Sequence, residues 1–170
     1  MTVADLAALY DYSCWANARL FPVIARLTDE EFTRAVAGSY GSVRTTLVHM
    51  MSAESGWLDR CGGPPRGERL NPADFPTLET VARRWETYEA QMRQFLASLT
   101  DADLARSITY TIPPLGLAGA GRVGDLLHHA VIHNIHHRGQ VALLLRALGQ
   151  VPGNVDILFY HSEPPAIVLQ

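Results

Sequence analysis

Five of the seven histidines in this sequence lie within ten consecutive residues, from His128 to His137. Histidine is the commonest side-chain metal ligand, because its neutral imidazole offers a nitrogen lone pair. His133 and His137 are four residues apart, and so are His129 and His133. On a helix, residues at this spacing lie on one face, so both imidazoles of a pair can reach one ion. The spacing therefore makes this stretch a candidate metal site.

Hydrophobic periodicity distinguishes the two pairs. At about 100° per residue, the segment has one apolar stripe. Its members are Leu126, Ala130, Val141, Leu144 and Leu148. His133 and His137 fall inside this stripe, whereas His129 and Gln140 lie at its edge and His136 lies further round. An imidazole in a core is costly unless it is hydrogen-bonded or binds a metal. Two interpretations stay open: a metal site, or core histidines satisfied by backbone carbonyls or a carboxylate.

Composition limits the class of protein. With 170 residues, 48% of them hydrophobic, the chain is expected to form one domain, residues 1–170, with a substantial core. It has no apolar run long enough to span a bilayer and no signal-peptide pattern, so we expect a cytoplasmic protein without a membrane partner. Cys14 and Cys61 are too few and too isolated for a disulfide framework, and both thiols should be free. The net charge is −3 and the arginines are scattered, which argues against nucleic-acid binding.

The remaining pattern predicts an all-α four-helix bundle. Long amphipathic helices are expected at residues 3–27, 42–60 and 77–99, and from about residue 125 to residue 148. Pro22 should kink or divide the first helix, and Thr28 should cap a short second piece that ends near residue 35. Residues 38–41 form a break, and residues 61–76 form a long loop. The apolar tail should pack back on the bundle, ahead of a loose end around Pro164 and Pro165.

A short hairpin-like segment is expected before the histidine helix. Residues 107–112 alternate apolar and polar side chains and are rich in β-branched residues, which is typical of a strand. Pro113 and Pro114 end it. Residues 115–118 are then expected to return as a short partner, and residues 119–124 to lead into the helix.

The second helix carries two further candidates. His49 lies away from the middle of that helix's apolar stripe, so periodicity alone predicts an exposed histidine. Glu54 points into the stripe. It could pair with an arginine at the stripe's end, or hydrogen-bond a metal-bound imidazole or water.

Four segments match the motifs of a known family, in the family's order. They are YSCWAN at residues 12–17, SVRTTLVHMMSAE at residues 42–54, HNIHHRGQ at residues 133–140 and PGNVDILFY at residues 152–160. Together they resemble the DinB/YfiT-like superfamily of metalloenzymes, and the histidine motif is the most specific of the four. The resemblance implies a bundle with an up-down-down-up course and a long crossover, commonly dimeric. It also implies that His49, His133 and His137 bind one divalent metal ion.

Three histidines with one open coordination position are typical of a catalytic site, because a structural site would have four protein ligands. Zinc is the default metal for such a tetrahedral site, but nickel and, to a lesser degree, cobalt or iron also favour imidazole, so the identity of the metal stays open between them, with zinc or nickel preferred. The resemblance then implies a small-molecule substrate, often a cellular thiol such as bacillithiol, mycothiol or glutathione. We therefore expect a low-molecular-weight-thiol S-transferase or a thiol-dependent isomerase, with no catalytic residue assigned. The alternatives are a metal-dependent hydrolase and a non-catalytic, dimeric, stress-related metal-binding protein.

A second apolar strip on the histidine helix consists of Ile132, Leu143 and Ala147. Such a strip would face water on an isolated bundle, so it predicts a subunit contact in a homodimer. The alternative is a core stripe wide enough to include these residues.

Overall fold

The computed structural model describes residues 1–37, 40–67 and 69–162. Its helices, in chain order, are α1 Val3–Ile24, α2 Asp29–Thr33, α3 Val43–Cys61, α4 Leu78–Ser98, α5 Asp101–Leu104, α6 Val123–Ala147 and α7 Ile157–His161. Two strands, β1 Ser107–Ile112 and β2 Leu117–Arg122, lie between α5 and α6. No helix in these ranges has both the length and the apolar character needed to cross a bilayer.

Local capping signals define the helix ends. The side-chain oxygens of Thr28, Ser42 and Thr77 each accept a hydrogen bond from the backbone N–H three residues later, as expected for N-caps. Gly62 ends α3 with a φ of 106°, in the left-handed region that glycine adopts without strain. The predicted division of the first helix at Pro22 is wrong. Because α1 ends at Ile24, the proline lies in its last turn and removes little of the helical hydrogen-bond ladder.

The four long helices form a bundle in which α1 and α3 each lie beside α4 and α6. One buried apolar cluster joins the carboxyl-terminal halves of α1 and α6 to the amino-terminal halves of α3 and α4. A second cluster joins the opposite halves. Helices α1 and α6 therefore run one way and α3 and α4 the other, which confirms the up-down-down-up course. Since α3 and α4 are parallel, residues 62–77 form the long crossover between them.

The β-hairpin differs in part from the prediction. Strand β1 is confirmed, and it pairs with β2 in antiparallel register from Ser107 opposite Arg122 to Ile112 opposite Leu117. The predicted return at residues 115–118 is confirmed only for residues 117–118, because residues 113–115 form a 3₁₀ turn and Gly116 reverses the chain at a φ of 60°. Residues 119–122 belong to β2 rather than to a lead-in. Glycine and alanine at residues 119–121 have low strand propensity, so pairing with β1 decides the conformation of this segment.

Side-chain hydrogen bonds join α1 to α6 and to the carboxyl-terminal tail. The Arg138 side chain on α6 is 1% exposed; its Nε donates to Asn17 Oδ1 at 3.0 Å, and its Nη2 donates to Ser13 Oγ at 2.6 Å. The motifs at residues 12–17 and 133–140 therefore meet in the core. The Tyr12 hydroxyl donates to the Val155 carbonyl at 2.9 Å, which confirms that the tail packs back on the bundle.

Two expectations lie outside the described residues. The loose end expected at Pro164 and Pro165 falls in residues 163–170, and the first two positions of the break expected at residues 38–41 are likewise not described.

Candidate metal centre

Three histidines from two neighbouring antiparallel helices converge on one point. His49 lies in the second turn of α3, and His133 and His137 lie near the middle of α6. Each of the three pairs of Nε2 atoms is separated by 3.1 Å. These are the three residues expected from the family resemblance, and we call them the histidine triad.

The donor set fits a divalent cation. In a neutral imidazole, each Nε2 carries either a proton or a lone pair. Among three mutually close Nε2 atoms, at least two must therefore both carry a proton or both carry a lone pair, and these two repel each other. A cation removes this conflict, because all three can then present lone pairs to it. Bonds of about 2.0–2.1 Å in a tetrahedral site place imidazole nitrogens about 3.3 Å apart. The observed 3.1 Å separations are close to that value. The histidine triad could therefore hold a metal ion.

Neighbouring side chains orient two of the rings. His137 Nδ1 lies 2.7 Å from Gln140 Oε1; an amide oxygen only accepts, so His137 donates through Nδ1 and its Nε2 keeps the lone pair. The Tyr40 hydroxyl lies 2.9 Å from His49 Nδ1. Within the described ranges, His133 Nδ1 is buried without a hydrogen-bond partner.

Sequence reasoning missed both orienting residues. Gln140 had a weak signal, since it is a polar residue at the edge of the stripe and three positions after His137. Tyr40 had none, because it lies in a non-helical segment where no periodicity applies.

Burial keeps the imidazoles of the triad in the neutral form that metal ligation requires. Burial, the nearby His137 and the charge of Arg69 together lower the pKa of His49 to about 4, and burial has the largest effect. Burial and the neighbouring imidazoles lower the pKa of His133 to about 3. The pKa of His137 is also lowered, mainly by burial. All three imidazoles are therefore neutral at physiological pH, as metal ligation requires.

Glu54 pairs with neither an arginine nor an imidazole among the described residues. It is 2% exposed and lies at the centre of the bundle. The Tyr10 hydroxyl donates to Oε1 at 2.5 Å, Trp85 Nε1 donates to Oε2 at 3.3 Å, and Asn134 Nδ2 donates to Oε2 at 2.5 Å. These hydrogen bonds, which we call the Glu54 cluster, join all four long helices. Among the described residues, its partners include no imidazole and no arginine. Burial raises the pKa of this carboxyl group.

The other histidines of the motif lie outside the triad. His129 is exposed, with its ring centroid 5.2 Å from that of Trp57, and His136 is exposed beside Gln140. The pair His129 and His133 therefore has the right spacing but does not converge. Periodicity was wrong to predict an exposed His49, which is half-buried because its face of α3 borders a cavity rather than bulk solvent.

A cavity of about 560 Å³ opens onto the triad. His49 and His133 form part of its wall, and the β-hairpin forms another part through residues such as Tyr110 and Ile112. A small molecule in this cavity could therefore contact two of the three candidate ligands. Such access is a property of catalytic metal sites rather than of closed structural ones.

The fold and the site together define a class: a four-helix bundle whose neighbouring helices bring three histidines to the edge of a cavity. The DinB family model matches residues 1–166, and the chain belongs to the DinB family.

Relatives and solved structures agree with this assignment. Protein DinB of Bacillus subtilis (strain 168) is 26% identical over 157 residues, covering 89% of this chain and 91% of that protein. The protein YizA of the same strain is 25% identical over 156 residues, covering 91% and 95%. A crystal structure of a DinB-like protein from Bacillus cereus ATCC 10987 has the same fold, with a TM-score of 0.73, 21% identity and coverage of 91% and 98%. A conserved protein from Enterococcus faecalis is similar at a TM-score of 0.60 and 14% identity, with coverage of 82% and 94%.

Proposed function

We propose that this protein is a metal-dependent enzyme that acts on a small substrate, and that it works as an S-transferase for a low-molecular-weight thiol or as a thiol-dependent isomerase. His49, His133 and His137 hold one divalent ion, zinc or nickel. The observation that carries the proposal is the convergence of three neutral Nε2 atoms, 3.1 Å apart, at a cavity wall.

A divalent ion held by His49, His133 and His137 would supply a positive charge that lowers the pKa of a bound thiol or water, so that a nucleophile would exist at neutral pH. The protein's own side chains orient the ligand imidazoles and enclose the substrate. Gln140 keeps the Nε2 lone pair of His137 turned toward the other two, and Tyr40 contacts His49. The walls of the cavity hold the substrate beside the triad and exclude water.

The protein's own cysteines support an external thiol as the sulfur source. Cys14 and Cys61 are buried, and neither lines the cavity as far as the structure describes it. Burial raises the pKa of both thiols above the ordinary value, that of Cys61 to about 11. Neither is therefore a nucleophile at neutral pH, so thiol chemistry here requires a thiol substrate.

Elemental analysis of the purified protein tests the metal site. We expect about one zinc or nickel ion per chain in the wild type and a large loss in His133→Ala. His128→Ala is the matched control, since His128 is on the same helix and, among the described residues, is neither in the triad nor a partner of Gln140 or Tyr40. Equal metal content in wild type and His133→Ala would refute the proposed ligand set.

A cobalt-substituted protein tests the thiol. Addition of glutathione, bacillithiol or mycothiol is expected to change the visible spectrum, because a sulfur ligand alters the absorption of bound cobalt. If none of these thiols changes the spectrum, the proposed thiol chemistry is rejected, whereas the proposed metal site is unaffected by that result.

Thermal melting with and without a chelator separates a catalytic ion from a structural one. The bundle has its own core, so we expect metal removal to lower the melting temperature only slightly. A collapse of the fold on metal removal would instead favour a non-catalytic metal-binding protein.

A further inference from the structure

The cavity beside the triad has a cationic side. Arg60, at the end of α3, and Arg66 and Arg69, in the crossover, all line it. The described residues of its wall include no aspartate or glutamate. None of the salt bridges found within residues 1–37, 40–67 and 69–162 involves these three guanidinium groups. The cavity therefore presents positive charge without a matching carboxylate among its described lining residues.

Two of these cations lie side by side, and Gly56 makes room for them. A Cβ atom built on Gly56 would lie 2.8 Å from Arg60 Nη1 and 2.8 Å from Arg66 Nη1. We call these two residues the arginine pair. Partial burial lowers the pKa of Arg60, and the charge of Arg66 lowers it further. Two guanidinium groups this close repel each other, and an anion bound by both would offset that repulsion.

Arg60 is held in place by its other contacts. Its Nη1 donates to the Gly56 carbonyl at 2.8 Å and its Nε donates to the Thr111 carbonyl at 3.1 Å. Its guanidinium lies over the Trp57 ring, 5.2 Å from the centroid. A cation fixed in this way loses little conformational freedom when it binds an anion.

The rest of the wall is largely apolar and aromatic. Trp57 and Tyr110 pack edge to face with ring centroids 5.1 Å apart. The hairpin adds further apolar side chains, namely Ile112, Pro114, Leu115 and Leu117. Such a surface suits a hydrocarbon or aromatic group rather than a fully polar ligand.

We propose that this cavity binds a small organic anion with an apolar body, whose carboxylate or phosphate contacts Arg60 and Arg66 while another part of the molecule reaches His49 and His133. This inference names the substrate class of the proposed enzyme and therefore rests on the proposed function. Arg69 adds positive charge on the same side. Carboxylate and phosphate share the chemistry that a planar guanidinium fork recognises.

Matched ligands test the charge and the apolar body separately. The probes are 3-phenylpropanoate, its neutral isostere 3-phenylpropanamide, phenyl phosphate and inorganic phosphate. Each is titrated by NMR into the full chain, once metal-loaded and once metal-free. For the metal-free sample the chelator is removed by gel filtration, since EDTA itself carries carboxylates. We expect both aromatic anions to bind the metal-free protein at least about tenfold more tightly than the amide or inorganic phosphate.

Variants then identify the anion's partners. Arg66→Gln is expected to weaken binding of the aromatic anions about tenfold. Gly56→Ala should do the same, because its methyl group would displace the ends of both arginines while alanine favours the helix. Arg26→Gln, at an exposed arginine that does not line the cavity, is the control and should bind as the wild type does.

The outcomes separate this inference from the proposed function. Equal affinity for acid and amide would overturn the inference, and so would anion binding that depends on metal and ignores Arg66→Gln and Gly56→Ala. A protein that loads metal but binds no anion would retain the proposed function alone. A protein that binds the anions but no metal would retain only the anion site.

Discussion

The smallest feature on which the metal site depends is one hydrogen bond. Gln140 accepts from His137 Nδ1 at 2.7 Å and thereby fixes which ring nitrogen is free to bind metal. Gln140→Ala should therefore weaken metal binding about 10–100-fold without unfolding the bundle. Competition against a chromophoric chelator measures the affinity. Gln94→Ala, on the exposed face of α4, is the control, and equal affinities for the two variants would contradict this role for Gln140.

The two thiols give a second prediction for single residues. Cys14 and Cys61 are buried, and burial raises the pKa of both thiols. Since the thiolate is the reactive form, a thiol reagent such as dithionitrobenzoate should modify the native protein far more slowly than free cysteine. In denaturant both thiols should react at once. A native thiol that reacts as fast as free cysteine would show that one of them is accessible.

Single residues were predictable where their local pattern was enough. The spacing of His133 and His137 placed both in one stripe of one helix, and the structure brings them together. His49 was not predictable from its own helix, because periodicity records packing inside the core and His49 borders a cavity instead. Only the family resemblance identified it. Neither periodicity nor the family resemblance identified Tyr40, because its contact with His49 depends on how the segment before α3 folds back on that helix.

At the scale of helices, the Glu54 cluster fixes how the bundle is assembled. Glu54→Ala would leave three buried donors unpaired, those of Tyr10, Trp85 and Asn134, and create a cavity. We expect a loss of about 3 kcal/mol in the free energy of unfolding, measured in urea. Tyr10→Phe removes one donor and should cost about 1–2 kcal/mol. A loss below 1 kcal/mol for Glu54→Ala, similar to that of an exposed control such as Glu30→Ala, would show that the cluster is unimportant.

The same cluster lies next to the triad in sequence. Asn134 follows His133, so the hydrogen bond from Asn134 to Glu54 holds α6 against α3 at the level of the metal site. Helix ends were predicted well, because a cap such as Ser42 or Thr28 depends on residues three positions apart. The Glu54 cluster was not, because its four members come from four helices whose relative positions the sequence does not state. Strand β2 was misplaced for a related reason: its pairing with β1, rather than its own composition, makes it a strand.

The whole molecule should respond to acid through the triad. The pKa of His49 is about 4 and that of His133 is about 3, both below the ordinary value of 6.5. Between about pH 6.5 and pH 4 the unfolded chain therefore binds protons that the folded chain does not, and the free energy of unfolding falls as pH falls.

Urea unfolding of the metal-free protein across that range measures this effect. The wild type should lose more stability on acidification than the double variant His49→Gln, His133→Gln. Burial raises the pKa of Glu54, so this residue changes the stability in the opposite direction as pH falls. Glu54 is present in both proteins, and its contribution therefore cancels when their stabilities are compared. If the free energy of unfolding depends on pH in the same way in both proteins, the triad is not the source of the acid sensitivity.

The outer face of α6 predicts an assembly. Ile132 is 48% exposed, Leu143 is 60% exposed and Ala147 is also exposed, so the alternative of a wide core stripe is wrong. An exposed strip of this kind still predicts a homodimer. Sedimentation at micromolar concentration should show a dimer for the wild type and a monomer for Leu143→Glu. Val151→Glu, at a residue 79% exposed outside the strip, is the control and should remain dimeric. A wild-type protein that sediments as a monomer would contradict the predicted homodimer.

The β-hairpin lies outside the four-helix core, yet it supplies one wall of the cavity beside the triad. The three candidate metal ligands and the residues that orient them come instead from α3, α6 and the segment before α3. Exchanging side chains in the turn at residues 113–116 could therefore change which compounds are accepted while leaving the affinity for the ion untouched. Substrate preference would then change in the hairpin, while the three candidate ligands on the helices stay the same.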